Sequence, residues 1–123
     1  MAISPTPTEI KLHLKSKVLE ILFDNNKKCM LSAEFLRVHS PSAEVQGHSP
    51  EQAILQIGKE NISIINIKAV GNYGIKIFFS DRHNTGIFSW SYLYKLAENY
   101  EIMWFDYIDK LEAAGYERID NEN

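Results

Sequence analysis

The sequence predicts an α+β domain in which small antiparallel β-sheets, built from two related hairpins, carry C-terminal helices packed on them. Three observations predict it. Apolar and polar residues alternate over several short stretches before residue 89, turn-forming residues join those stretches, and from Ser89 onward the hydrophobic period becomes helical.

Residues 1–8 contain Pro5 and Pro7 and no apolar periodicity, so a flexible arm is expected there; 119–123 are expected to be a flexible tail, leaving 9–118 as one domain. Ile10, Leu12 and Leu14 alternate with Lys11, His13 and Lys15, the pattern of a strand with one buried face and His13 on the polar side. A second strand over 18–23 runs into Asp24-Asn25-Asn26-Lys27, and a third, over 28–31, leaves that turn. Ser32 followed by Ala33-Glu34-Phe35-Leu36-Arg37 suits a short helix with a serine N-cap and an early acid.

Residues 38–52 form the longest stretch without periodicity and hold Pro41, Gly47, Pro50, His39, Glu44 and His48; a loop of that length in a compact domain tends to be functional. Strands over 62–70 and 73–79 meet at Gly71-Asn72, and 81–84 turn the chain into a further strand over 85–88. In the helical region Trp90, Leu93 and Ala97 share one face and Trp104, Ile108 and Leu111 another, with a break near Asn99 and Gly115 as the stop. Laying Ser32 on Ser89 also places Asp24 on Asp81, Met30 on Ile87, Leu31 on Phe88, Phe35 on Tyr92 and Leu36 on Leu93 without a gap. Each hairpin is thereby expected to deliver the chain to a serine that opens the next helix.

Composition narrows the function classes. No apolar run approaches the roughly 20 residues that span a bilayer, and the N-terminus lacks the basic and apolar parts of a secretory signal, so a cytoplasmic location without membrane association is expected. The net charge of −3, with lysines 11, 15, 17, 27 and 28 scattered over strands and a turn, argues against nucleic acid as a partner. Cys29 is the only cysteine, which excludes an intrachain disulfide and any multi-thiolate metal site; it is expected to be an inert, half-buried thiol. Gly58-Lys59 lacks the rest of a phosphate loop, Ser89 lacks the glycines of a nucleophile elbow, and the four histidines have no diagnostic spacing. No catalytic residue and no enzymatic activity are expected. The aromatics from Trp90 to Tyr107 are too many for one helical face to bury, and Tyr94 and Phe105 are expected to remain exposed as a partner surface.

The stretches Phe35-Leu36-Arg37-Val38-His39-Ser40-Pro41-Ser42-Ala43-Glu44-Val45-Gln46-Gly47-His48 and Gly86-Ile87-Phe88-Ser89-Trp90-Ser91-Tyr92-Leu93-Tyr94, with Gly58-Lys59 and Ala69-Val70-Gly71-Asn72-Tyr73 between them, resemble the gamma-butyrobetaine hydroxylase-like N-terminal domain family. The resemblance implies a domain that occurs alone in bacteria, at the N-terminus of iron- and 2-oxoglutarate-dependent hydroxylases, or attached to P-loop ATPases with iron–sulphur clusters. It also implies a structural zinc held by a Cys-x-Cys-x-x-Cys loop and one histidine. Those positions fall here on Ser40, Ser42, Val45 and His83, so zinc is not expected. No cofactor is expected in its place.

What the resemblance leaves is a loop rich in donors and acceptors. Arg37, His39, Ser40, Ser42 and Glu44 are expected either to form a partner surface or to hydrogen-bond one another where the zinc would be. A metal site of His48 and His83, with Glu44, is the third option. The overall expectation is a non-catalytic accessory domain, an adaptor for a metalloenzyme or cluster-assembly protein, with room for a homo-oligomer. The alternative is a metal-binding domain with His and carboxylate ligands that acts with a separate iron/2-oxoglutarate oxygenase subunit.

Overall fold

The computed structural model describes residues 5–46 and 54–119, with the side chains of Ala43 and Glu44 excepted. The chain runs β1 (Pro7–His13), β2 (Val18–Phe23), β3 (Lys28–Ser32), α1 (Ala33–Val38), α2 (Ala43–Gln46), β4 (Ile64–Val70), β5 (Gly74–Phe79), β6 (Ile87–Ser89), α3 (Trp90–Glu98) and α4 (Tyr100–Ala113). Among the described residues these strands form two three-stranded antiparallel sheets, ordered β1-β2-β3 and β4-β5-β6. This is the α+β architecture the sequence predicts. No helix among the described residues is long and apolar enough to cross a membrane.

Alternation sets which face of each sheet is buried. Leu19, Ile21 and Phe23 of β2 and Ile75, Ile77 and Phe79 of β5 are each at most 3% exposed, and both sets join one cluster with Leu31, Phe35, Leu36, Phe88, Leu93 and Leu96. Full burial of such a side chain contributes roughly 1.5–3 kcal/mol, so this shared core is the main source of stability. β1 begins at Pro7, inside the segment expected to be an arm. Proline is compatible with that place because β1 is an edge strand and Pro7 its first residue. At the other end, the backbone of Ile119 is tied to Glu60 and Asn61, so order extends one residue past the expected boundary.

The helix punctuation follows the sequence closely. Ser32 Oγ accepts from Phe35 N–H and Ser89 Oγ from Tyr92 N–H, both at 3.1 Å. Asn99 interrupts the helical run: its amide donates to Lys95 O at 2.9 Å while its own backbone starts α4. Gly115, at φ 75°, closes α4 with the paired bonds Gly115 N–H to Glu112 O and Tyr116 N–H to Leu111 O.

The two hairpins are related, but not without gaps. Strand register pairs Leu19 with Leu31 and Ile75 with Phe88, so Leu19 corresponds to Ile75, 56 residues on, whereas Leu31 and Phe88 differ by 57. The turns show where the difference lies. Phe23, Asn25, Asn26 and Lys27 make the same bonds as Phe79, Asp81, Arg82 and His83, with Asn26 and Arg82 at φ 69° and 70°. Asp81 therefore matches Asn25 rather than Asp24, and the extra residue of the second hairpin falls between His83 and Ile87. That insertion keeps 84–86 out of the strand and leaves them facing the loop after α1.

Candidate functional site

The end of α1, the following loop and the second hairpin turn converge on one polar cluster. Arg37, in the last turn of α1, is only 7% exposed, and its Nε donates to Asp81 Oδ2 at 2.9 Å. Lys59 Nζ donates to the same oxygen at 2.7 Å, while Asp81 Oδ1 accepts from His83 N–H at 3.1 Å. Burial alone would raise the Asp81 carboxyl; the bonds from Lys59, Arg37 and the His83 backbone outweigh it and hold the pKa down to about 2.

His39 ends α1 half-buried. Its Nδ1 lies 2.9 Å from Phe35 O, which can only accept, so Nδ1 carries the proton, and burial pushes the ring below its ordinary pKa. Its carbonyl accepts from Tyr92 O–H at 2.6 Å, which secures the loop to α3. Beyond it the chain turns inward. Ser40 is fully buried with Oγ 2.9 Å from His83 Nε2, and His83 itself is 5% exposed. Ser42, 7% exposed, places Oγ 2.7 Å from Thr85 Oγ1, and Gln46 Nε2 donates to Ser40 O at 3.0 Å.

Three residues of the expected partner surface are therefore interior. Arg37, Ser40 and Ser42 are buried because their polar atoms meet partners from the second hairpin, contacts across more than 40 residues that local sequence does not reveal. Tyr94 is also not free: it packs edge-on against Phe23 at 5.0 Å and accepts from Asn25 Nδ2 at 3.0 Å. Phe105 does stand outside, 64% exposed. Glu44 lies in α2 with its side chain outside the described residues, as is all of His48, so the proposed pairing of His48 with His83 has no geometry to report.

Of the four positions where the resemblance implies zinc, Ser40, Ser42 and His83 meet and Val45 follows in the next helical turn, but the chemistry is wrong for the metal. A hydroxyl already sits at hydrogen-bond distance from the imidazole nitrogen that would face a metal. The second hydroxyl is turned to Thr85, and Val45 offers only a buried alkyl group. Hydrogen bonds join the loop to the turn at the place where metal bonds would.

Gly86 permits this approach. A Cβ there would overlap Ser40 Oγ and stand 3.0 Å from Pro41 Cδ and 3.1 Å from the Ser42 nitrogen. Gly86→Ala is expected to cost about 1–3 kcal/mol by forcing the loop off the turn, measurable as a lower midpoint in urea at unchanged slope.

A second polar network escaped the sequence argument. Glu34 Oε2 accepts from Tyr107 O–H and Arg118 Nε, both at 3.0 Å, and Oε1 accepts from Arg118 Nη2 at 2.5 Å. An acid at the N-terminus of α1 reads as a cap contribution; here it is 6% exposed and anchors the C-terminal segment. Cys29 is half-buried, as expected, and burial pushes its thiol up to about 11. It should alkylate with iodoacetamide about a hundredfold more slowly at neutral pH than an exposed cysteine, a rate that stopped-time mass spectrometry measures.

Three solved structures place this geometry among known proteins. Two NMR solution structures are 43% and 44% identical to this chain, cover 98% and 100% of it over 95% and 94% of their own length, and superpose with TM-scores of 0.82 and 0.81. A crystal structure of a protein of unknown function from Acidithiobacillus ferrooxidans, of the DUF971 family, is 37% identical over 75% of this chain and 92% of its own, with a TM-score of 0.63. No curated protein matches. Residues 10–94 match the family described as gamma-butyrobetaine hydroxylase-like, N-terminal, and the chain belongs to that family.

Proposed function

We propose that this chain is a non-catalytic accessory domain that binds a protein partner of the metalloenzyme or iron–sulphur cluster-assembly class. The observation that carries the binding role is the division of labour among its side chains. The titratable groups of the two polar networks, Asp81 and His83 in one and Glu34 in the other, are spent on holding elements together, whereas the large apolar side chains Ile102 and Phe105 of α4 stay 74% and 64% exposed. The class of partner rests on the company kept by the resembling domains, beside iron-dependent hydroxylases and cluster-bearing ATPases, which is an argument by association.

The test is quantitative co-purification of the tagged full chain from its native cell, against a tag-only control. A metalloenzyme or cluster-assembly protein enriched in a defined ratio supports the proposal. Stoichiometric zinc or iron on protein prepared without chelator, lost on His83→Ala, would replace it with the metal-binding alternative, in which the domain serves a separate oxygenase subunit. Recovery of no such partner removes the assembly role.

A further inference from the structure

Building on the partner-binding reading, we infer that the exposed stripe of α4 docks a cationic amphipathic segment of the partner, one with apolar side chains at one end and lysine or arginine at the other. Ile102, Phe105, Asp109 and Glu112 follow one another at i, i+3, i+7 and i+10, which sets them on one face of the helix, and all four are exposed. Beside Ile102, which lines it, a groove of about 390 Å³ opens between the start of α4 and the edge strand β3; Cys29, Leu31, Ala97 and Tyr100 line it with Met30, itself 54% exposed, and Glu98 and Glu101 add acids to it. The stripe is apolar over its first half and acidic over its second.

Charge selects the occupant. α4 holds Glu101, Asp106, Asp109 and Glu112 against one base, Lys110, so it carries the whole formal charge of −3 and leaves the rest of the chain balanced. Lys110 is already engaged by Asp106 at 2.9 Å. Asp109 and Glu112 stand in the last turns of the helix, where the negative end of its dipole disfavours carboxylates and favours cations. A cation supplied from outside satisfies both the acids and the helix terminus. A neutral apolar partner fits the groove but strips water from exposed acids, and a second copy of this chain would bring a like-charged helix against this one.

The experiment titrates the ¹⁵N-labelled full chain with a synthetic helical peptide that carries leucines at i, i+3 and i+4 in its first half and arginines in its second. Saturable shifts confined to residues 29–31 and 97–112 are expected. Ile102→Ser with Phe105→Ser should weaken binding at least tenfold at unchanged circular dichroism. Asp109→Asn with Glu112→Gln should weaken it several-fold, a loss that disappears at about 1 M salt, where screening acts over about 3 Å. Equal binding of a peptide with glutamates in place of the arginines, indifference to both variant pairs, or shifts spread over the molecule would overturn the assignment. So would self-association of the chain alone that Phe105→Ser abolishes, since the face would then belong to a second copy. A native partner still captured by the α4 variants sinks this docking site alone; absence of any partner sinks the reading beneath it.

Discussion

Replacing Ser40, Ser42 and Val45 together by cysteine is expected to yield a chain that binds one zinc ion with the affinity of a structural site, worth about 10 kcal/mol or more at neutral pH. The parent fold already joins three of the four positions and sets the fourth in the next helical turn. Ser40 Oγ lies 2.9 Å from His83 Nε2, the Ser42 N–H reaches Ser40 Oγ at 3.3 Å, and Val45 is buried at 3% in the single turn of α2 that follows. Thiolates supply soft, charged donors where hydroxyl and alkyl groups supply none that zinc favours. Without metal the triple variant loses the Ser40–His83 and Ser42–Thr85 bonds, each worth about 1 kcal/mol, and should melt below the parent. Its melting temperature should rise with zinc and fall with chelator, while the parent's responds to neither. Adding His83→Ala to the variant should abolish stoichiometric binding, read by elemental analysis. A parent that a chelator destabilises would show that the natural site does hold a metal.

Legibility in the sequence followed the range of the interactions. The strands of both hairpins, the two serine caps, the break at Asn99 and the stop at Gly115 were readable because each depends on residues within a few positions of one another. The repeat was visible too, yet an ungapped alignment set Asp24 on Asp81, because sequence alone cannot show that a turn has gained a residue after His83. The candidate site was harder. Arg37 is a residue type that usually lies on the surface, and only the distant Asp81 and Lys59 explain its burial. Only the family resemblance sets Ser40 and Ser42 beside His83; the residues themselves do not show that Thr85 and His83, 43 positions on, are their hydrogen-bond partners. The helical pattern leaves both Tyr94 and Phe105 outside, yet the first faces Phe23 and only the second faces outward.

The same buried charge makes Asp81 the residue on which the polar cluster depends, and Asp81→Ala is expected to cost about 3–5 kcal/mol at pH 7. Removing the carboxylate leaves the Arg37 guanidinium, with 8% of its side chain exposed, without its counter-ion, and Arg37 Nη1 already has no hydrogen-bond partner among the described residues. It also removes the acceptor for Lys59 and the turn bond to His83 N–H, so the imidazole that meets Ser40 loses its support. If burial of an unpaired charge is the main cost, Arg37→Met in the Asp81→Ala background should recover part of the loss, and a double-mutant cycle in urea measures that recovery. The acid limb of stability carries the same signature. Because folding depresses the Asp81 pKa from 3.8 to about 2, its contribution is fully present above pH 3.8 and is lost as pH falls through 3.8 towards 2. The stability of Asp81→Ala should therefore fall less steeply over that window than the parent's. Glu20 and Glu60, whose carboxyls are also held low, should keep their share of the slope in both proteins. An unchanged acid slope together with a loss under 1 kcal/mol would mean that Arg37 reaches water when Asp81 is gone, and that the second hairpin is held by the Ser40–His83 contact rather than by the ion pair.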